Sequence, residues 1–306
     1  MIKYIEHRTI DKKKWDVCID SSSNPCMFVY SWYLDVVCEN WTALVLNDYE
    51  AVFPIAANSK YKINYIYQPF FTRYFGVFTN QKLSEKLVNE FLLAIPEKFK
   101  YLEFCLHETN TINNIDFFAN EKKYQILDMN DPYPLLYKNF SENSKRNIKK
   151  AIKANLIIKY EIAPEKIVAL FRETKGNELE VFKEEHYNVL IKLMNACLKQ
   201  NKGYSYAIYD GDVLCAAAFF MLSNNTFVFL KSGVTDEGKT KGAMHFMFDA
   251  FIRENSGRPF FLDFGGSSVE NVARFYKNFG AKDCVYLQLN KNRLPKLVQW
   301  VKSFKF

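Results

Sequence analysis

Hydrophobic and polar positions follow clear periods in the second half of the chain. Apolar residues recur at helical spacing in two successive segments, and β-rich runs follow them. Asp210-Gly211 separates the first two of these runs, and an Asp-Gly pair in that place is typical of a β-hairpin. The predicted order is β, α, α, β, β, β, α, β, α, β, with strands at 156–162, 204–209, 213–222, 226–232, 259–264 and 283–289 and helices at 164–173, 184–200, 243–254 and 269–278.

The first half repeats this order less regularly. The predicted strands lie at 2–9, 42–46, 51–58, 64–71, 101–106 and 124–129, and the predicted helices lie near Trp15 and at 31–39, 83–99 and 115–122. Pro132 and Pro134 interrupt the chain and favour a boundary there. We therefore predict a mixed α/β fold of two tandem domains, residues 1–138 and 139–306, each with helices packed on a mixed sheet.

The composition is sufficient for two folded domains and indicates the cellular compartment of the protein. The chain has 306 residues, of which 49% are hydrophobic and 17% aromatic, enough for two cores. Seven cysteines lie singly, without a CxxC pair, which is typical of reduced thiols. The first residues have no apolar signal core, and no apolar run approaches the length that spans a bilayer. We expect a cytoplasmic protein without stable membrane insertion.

The glycine-containing segment at 233–243 is the strongest candidate for a binding site. It joins a predicted strand to an amphipathic helix, so its free amides and the helix N-terminus could form an anion site. The formal net charge of +7 also favours an anionic partner, although it does not require DNA, and we expect none. These features are consistent with a pyrophosphate ligand.

The second half resembles the GNAT acyltransferases in its element order and in this segment. Lys239, Gly242 and Ala243 take the places of the family residues that bind the pyrophosphate of coenzyme A, while Met244 stands where a second small residue is usual. The resemblance implies acyl-CoA, such as acetyl-CoA, as co-substrate. The residues it implies for donor binding are Ser232, Gly233, Val234, Gly238, Lys239, Thr240, Lys241, Gly242, Ala243 and Asn271.

A second matching stretch, residues 271–281, implies a catalytic residue. Tyr276 lies four residues before Gly280, as does the GNAT tyrosine that protonates the departing thiolate. A phenol has suitable chemistry for this step if it points into the site. The candidates for the general base are Asp263 and Glu237, neither of which lies in a family motif.

The tandem arrangement looks like the Fem family of aminoacyl-tRNA-dependent peptidyltransferases. Residues 275–280 look like the Fem ending of phenylalanine, lysine, two residues, phenylalanine and glycine, with Tyr276 in the place of the lysine and Lys277 beside it. The basic helix predicted at 144–154 resembles the helix that opens the second Fem domain. This resemblance implies tRNA as an alternative partner.

Residues 233–240 also satisfy the P-loop pattern GxxxxGK[ST]. Asp236 and Glu237 would place two negative charges in the phosphate cradle, and the preceding hairpin is antiparallel, whereas a P-loop normally joins a parallel sheet. The two acidic residues and the antiparallel hairpin therefore favour an acyltransferase loop over the phosphate loop of an NTPase.

The sequence says least about the acceptor substrate. We expect a small-molecule or peptide amine in the interdomain cleft, contacted by Gln68, Arg73, Lys231 and Lys277. The terminal segment 294–306 is predicted to pack on the first domain, and the four histidines show no metal-binding spacing. A tandem domain that only binds a ligand, without catalysis, is the remaining alternative.

Overall fold

The structure is a computed structural model that describes residues 1–113, 116–266 and 269–295. The chain forms two compact units. Unit 1 combines Met1–Lys122 with the described residues that follow Cys284, and unit 2 is Lys123–Cys284. The predicted terminal helix at 294–306 lies outside the described residues from residue 296 onward.

Unit 2 contains the elements that the second half of the sequence predicts. In chain order they are α4 (Tyr133–Lys138), α5 (Glu142–Lys153), β9 (Ile157–Tyr160), α6 (Pro164–Thr174), α7 (Glu184–Lys199), β10 (Gly203–Asp210), β11 (Val213–Ser223), β12 (Thr226–Val234), α8 (Asp236–Lys241), α9 (Ala243–Asn255), β13 (Phe261–Gly266) and α10 (Glu270–Lys277). The unit also takes residues 123–128 of β8 (Phe118–Asp128). The predicted boundary segment at 131–138 forms α4, because its two prolines lie at the helix start, where no amide donor is needed.

The sheet of unit 2 has the order β8-β13-β12-β11-β10-β9. Its pairs are antiparallel except β12 with β13, which run parallel. The apolar face of α9 covers this sheet, and Phe251 of the helix stacks on Phe220 of β11 with ring centroids 4.0 Å apart. Burial of such aromatic side chains, each worth about 1.5–3 kcal/mol, holds α9 in place.

Unit 1 contains two sets of four paired strands. Its elements are β1 (Ile2–Ile5), α1 (Lys12–Ser21), α2 (Ser31–Val37), β2 (Thr42–Leu46), β3 (Ala51–Ile55), β4 (Ala57–Lys60), β5 (Ile63–Ile66), β6 (Phe78–Thr79), α3 (Glu85–Leu93) and β7 (Phe99–Leu106), followed by the start of β8 and, from the end of the chain, most of β14 (Lys282–Asn292). One sheet has the order β1-β2-β3-β6, and β4, β5, β7 and β14 pair in that order. The pair β5 with β7 is parallel, as β12 with β13 is in unit 2.

The last strand of each half pairs with the other half's elements. Residues 287–292 of β14 pair with 101–106 of β7, inside unit 1, and residues 124–128 of β8 pair with β13, inside unit 2. The compact units therefore divide after Lys122 and Cys284, whereas the sequence placed one boundary after residue 138. Hydrophobic periodicity reports which face of a strand is buried, but not which strand it pairs with.

One predicted element of the first half is wrong. The helix predicted at 115–122 is replaced, in its described residues from 118 onward, by the first part of β8. These residues are mostly polar and exposed, so their sequence carries no strong period of either kind. The mixed α/β fold class is confirmed. Across the described ranges, no helix has both the length and the apolar composition needed to cross a membrane.

Candidate active site

The parallel strands of unit 2 separate after a short paired region. Residues 226–228 of β12 pair with 261–263 of β13. On the other edge of β12, Phe229 pairs with Phe220 and Lys231 with Phe219, so Leu230 is an extra residue that forms a β-bulge. A bulge bends its strand and redirects the side chains that follow. The two parallel strands are therefore unpaired beyond Val228 and Asp263, toward their carboxyl ends.

A cavity of about 590 Å³ lies beyond this paired region. It has the size and the largely apolar lining of a small-molecule site. Its lining residues come from β12, from the α8–α9 junction and from α10: Phe229, Ser232, Val234, Lys239, Gly242, Met244, His245, Phe248, Asn271, Val272, Phe275 and Tyr276. Six of the predicted site residues, Ser232, Val234, Lys239, Gly242, Asn271 and Tyr276, are therefore brought together here.

The N-terminus of α9 opens at this cavity. Its N-cap is Gly242, with φ of 79°, and no side chain caps the helix. A Cβ on Gly242 would lie 2.5 Å from the backbone oxygen of Asn147 on α5, so only glycine fits this junction. The first amides of a helix have no acceptor within it, and the helix dipole gives that end partial positive charge. The arrangement can hold an anionic group.

Lys239 adds a cationic side chain at the edge of the same cavity. Its ammonium lies 2.7 Å from Asp236, and this hydrogen bond lowers the pKa of the Asp236 carboxyl. Both groups are exposed, so the pair is weak and an anionic ligand could compete for the lysine.

Tyr276 also lines the cavity and is held in place by aromatic packing. Its ring stacks on Phe264 of β13, with centroids 4.8 Å apart at 25°, and it is 9% exposed. Phe229 and Phe248 also contact it. The ring orientation is therefore fixed by the core while the residue lines the cavity, which suits a group that must deliver a proton at one position.

His245 also lines the cavity, although the sequence assigns it no role in a site. It lies in the first turn of α9, beside the rings of Phe275 at 4.9 Å and Phe279 at 5.9 Å. Its Nε2 is buried and has no hydrogen-bond partner in the described part of the chain. Burial lowers the pKa of this imidazole to about 4, so it is neutral at physiological pH. The feature of the sequence that could have indicated this position is the place of His245 three residues after Gly242.

The other predicted glycines serve packing. A Cβ on Gly233 would lie 2.6 Å from the backbone of α6, and one on Gly238 would lie 2.4 Å from the carbonyl oxygen of Cys215 on β11. The Gly238 amide is already bonded to Thr235 Oγ1 at 2.9 Å. The P-loop pattern therefore does not form a phosphate loop, because its first glycine lies in β12 and its second in α8.

Three further predicted donor residues lie outside the cavity lining. Thr240 Oγ1 donates to the backbone of Asp236, and Ala243 is fully buried in the core. Lys241 contacts Asp210 and Glu237, and these hydrogen bonds raise its pKa. These residues stabilise the α8–α9 junction that presents Gly242.

Asp263, Lys231 and Lys277 also lie outside the lining. Asp263 is 2% exposed and accepts a hydrogen bond from the Gly265 amide at 2.9 Å. Lys277 pairs with Asp283 at 2.6 Å. Lys231 lies over the rings of Phe171 and Phe182 at 4.5 and 5.0 Å, and burial lowers its pKa to about 8.

The two predicted acceptor residues of unit 1 make local contacts. Gln68 accepts a hydrogen bond from the Cys105 amide at 2.9 Å and donates to the Thr72 carbonyl oxygen at 3.2 Å. The Arg73 guanidinium lies over the rings of Phe28 and Tyr74, at 5.7 and 5.8 Å. Their role as acceptor contacts stays a prediction.

Comparison with solved structures identifies the fold. FemX matches with a TM-score of 0.64 and 11% identity, over 97% of this chain and 98% of that chain. L-PGS from Bacillus licheniformis matches with a TM-score of 0.56 and 11% identity, over 94% of each chain. A tandem GNAT protein from the clavulanic acid biosynthesis pathway matches with a TM-score of 0.55 and 9% identity, over 96% and 99%.

These likenesses cover almost the full chain and show a GNAT-like, Fem-type tandem fold. At such low identity they show the fold and leave the chemistry to the site. The sequence matches no protein-family profile and no curated protein.

Proposed function

We propose that this protein is an N-acyltransferase that takes its acyl group from an acyl-CoA thioester bound in the cavity of unit 2. One observation carries the proposal: the cavity joins an uncapped helix N-terminus and Lys239 at one part of its wall to Tyr276 at another. A donor with an anionic diphosphate and a thioester needs both features.

The residues of the cavity have separate roles in this reaction. The first-turn amides of α9 and Lys239 bind the diphosphate, and the apolar wall formed by Phe229, Val234 and Phe275 excludes water from the thioester. The amine nitrogen of the acceptor attacks the thioester carbonyl carbon, the carbon–sulfur bond breaks, and Tyr276 gives its proton to the departing thiolate. The attacking nitrogen, which is cationic in the tetrahedral intermediate, releases a proton to solvent, and solvent returns a proton to the Tyr276 phenolate, so that the products are an amide and a free thiol.

Isothermal titration tests the donor directly. We expect heat from acetyl-CoA and from desulfo-CoA, which lacks the thiol and cannot be turned over. Adenosine 3′,5′-bisphosphate should bind more weakly, since it carries phosphates without the pantetheine arm. Absence of binding by both CoA species would exclude the proposal, whereas binding without transfer to any of a panel of amines would leave a ligand-binding domain.

The basic helix α5 favours a second candidate, Fem-type transfer from aminoacyl-tRNA. Lys149, Lys150 and Lys153 have no ion pair among the described residues, and α5 contacts Gly242 at the cavity. Such a row of lysines can contact a phosphate backbone. Titration with charged tRNA at two salt concentrations separates the candidates, because only the tRNA complex should weaken steeply with salt.

The charge-reversed variant Lys149→Glu, Lys150→Glu, Lys153→Glu provides the matched control. If tRNA is the donor carrier, this variant should lose tRNA binding at least tenfold, as expected for lost phosphate contacts. If acyl-CoA is the donor, its desulfo-CoA affinity should match that of the unmodified protein.

A further inference from the structure

A second cavity of unit 2 lies apart from the candidate active site. Its volume is also about 590 Å³. Its lining comes from the end of β9, the residues that lead from β9 into α6, the end of α7 and the start of β10. Among the described residues, it shares no lining residue with the first cavity and contains none of those predicted for donor or acceptor binding. It is therefore a separate candidate site.

The second cavity forms where β9 leaves the edge of the sheet. Residues 157–160 of β9 pair with 206–209 of β10. Glu161 follows with φ of 57°, a left-handed conformation that is uncommon for residues other than glycine, and the chain then turns into α6. In the described structure, residues 203–205 of β10 therefore pair with β11 on one side and with no strand on the other. This leaves a short open strand edge beside the cavity.

Gly203 presents its backbone amide to this open edge. The carbonyl oxygen of Lys202, the preceding residue, accepts a hydrogen bond from the Leu222 amide of β11 at 2.8 Å. The C=O and N–H of one trans peptide unit point in opposite directions, so the Gly203 amide points away from β11. Gly203 also lines the second cavity. An extended peptide can bind to such an edge through its main chain, as in β-strand addition.

The tyrosine side of the second cavity offers hydrogen-bond acceptors. The hydroxyls of Tyr160 and Tyr206, which both line it, donate to different oxygens of Glu254, at 2.6 and 2.7 Å. The hydrogen bond to Glu254 raises the pKa of Tyr160 to about 12, so its phenol keeps the proton that it donates. The lone pairs that remain on the hydroxyl oxygens can only accept. A ligand that bonds to them must supply donors.

The charge and the shape of the lining narrow the ligand further. Glu161 is exposed, and neither Glu161 nor Glu254 has an ion pair in the described part of the chain. Glu161 is the one charged side chain among the described lining residues. Tyr160, the preceding residue, is 53% exposed, which leaves much of its aromatic ring accessible. A guanidinium has forked donors for a carboxylate and a flat face that stacks on an aromatic ring, whereas an ammonium has no such face.

We propose that the second cavity binds an arginine side chain of an extended peptide. The guanidinium contacts the Glu161 carboxylate and the Tyr160 ring, and the main chain of the peptide bonds to the open edge at Gly203. The ligand is thus an arginine-containing segment of a partner protein. This site does not depend on the proposed acyl-CoA donor, because the two cavities have separate linings.

Selective isotope labelling locates the peptide on the protein. When lysine is labelled at the carbonyl carbon and glycine at the amide nitrogen, a filtered spectrum shows the glycines that follow a lysine, and the sequence has three: Gly176, Gly203 and Gly242. Lys202→Arg keeps the charge and removes the Gly203 signal, which identifies it. We expect acetyl-Val-Arg-Val-amide to shift the Gly203 signal and to leave the other two in place. Desulfo-CoA should leave the Gly203 signal unchanged.

Calorimetry with matched peptides tests the arginine. Acetyl-Val-citrulline-Val-amide has a neutral urea in place of the guanidinium and should bind about fivefold more weakly, the scale of one exposed ion pair with one cation–π contact. Glu161→Gln should weaken binding of the arginine peptide about threefold and leave that of the citrulline peptide unchanged. Glu173→Gln removes an exposed carboxylate of α6 outside the lining and should change neither affinity.

Methylation of the peptide nitrogens tests the main-chain pairing. In a strand, the N–H groups of successive residues point to opposite sides. Of two tripeptides methylated at the arginine nitrogen or at the following valine nitrogen, one should therefore lose binding and the other should keep it. N-acetyl-arginine amide, which has no neighbouring residues, should bind more weakly than the tripeptide.

The outcomes decide the proposal in either direction. A shifted Gly203 signal, weaker binding of the citrulline peptide and tolerance of one methylated nitrogen would support it. An unmoved Gly203 signal at millimolar arginine peptide, or equal affinities of the arginine and citrulline peptides, would show that it is wrong. If N-acetyl-arginine amide binds as tightly as the tripeptide, the ligand is a small guanidine and the peptide is excluded. Should Glu161→Gln not fold, the peptide comparison on unmodified protein decides alone.

Discussion

Tyr276 is the residue on which the proposed chemistry most depends. Its ring is fixed against Phe264 by stacking, so removal of the hydroxyl leaves the packing in place. Tyr276→Phe should lower kcat about 100-fold, the scale of general acid catalysis, with desulfo-CoA affinity unchanged. Tyr204→Phe, which removes the hydroxyl of a part-exposed tyrosine outside the cavity lining, should leave kcat unchanged. Equal turnover by the two variants would exclude Tyr276 from proton transfer.

Gly242 determines whether the N-terminus of α9 stays open at the cavity. Gly242→Ala forces an alanine into a left-handed conformation and against the Asn147 carbonyl oxygen, so we expect a loss of about 2–4 kcal/mol in the free energy of unfolding. Gly257→Ala is the control, because φ there is 69° but nothing lies within 4 Å of the added Cβ. Urea denaturation should show the smaller loss, about 1 kcal/mol, for Gly257→Ala. Equal losses would mean that α5 does not pack against this glycine.

His107 gives unit 1 a defined dependence on pH. Burial, with Arg73 nearby, lowers the pKa of His107 to about 4, below its ordinary value of 6.5. Between these pH values the unfolded chain binds a proton at His107 that the folded chain does not. The folded state therefore has no penalty from this group above pH 6.5 and loses free energy of unfolding as the pH falls toward 4. The loss from this group should reach about 3 kcal/mol.

Urea denaturation of His107→Asn between pH 7 and pH 4.5 measures this contribution. The asparagine oxygen can replace Nδ1 as acceptor for the Thr109 amide, so the native contact is retained. The variant should lose less stability than the unmodified protein over this range. Parallel stability curves for the two proteins would contradict the prediction.

Among the helices and strands, the second half of the sequence predicts its elements more accurately than the first. Its helices have strong apolar periods and its hairpin has an Asp-Gly turn, so the predicted bounds of β10 and β11 agree with the structure within one residue. Residues 118–122 are mostly polar and exposed, and their strand is defined by pairing partners that a single sequence does not specify.

The glycine-containing segment at 233–243 shows a second reason why a sequence predicts a site only in part. The sequence identifies glycines and lysines at 233–243, but glycine is needed equally for close packing and for ligand approach. The structure separates the two uses, since Gly233 and Gly238 contact backbone atoms of neighbouring elements and Gly242 caps a helix at the cavity. The sequence does not single out His245, because a single histidine in a helix has no motif to indicate its surroundings.

At the scale of the whole molecule, the exchange of β8 and β14 predicts how the chain can be divided. A fragment of residues 139–306 lacks the strand that pairs with β13, whereas a fragment of residues 118–284 retains it. The longer sheet should let 118–284 unfold cooperatively, and 139–306 should aggregate through its unpaired edge. Circular dichroism during urea titration and size-exclusion chromatography compare the two fragments. Equal behaviour would show that β8 is dispensable for unit 2.

The pairing of β14 with β7 also determines when unit 1 can finish folding. The hydrogen bond from Gln288 to Glu103 joins residues separated by 185 positions, so the edge of β7 stays open during synthesis until β14 has emerged. Contacts between such distant residues slow folding. The late arrival of this strand therefore makes the protein dependent on conditions that protect nascent chains, and slower translation before β14 would lengthen the interval in which β7 can aggregate.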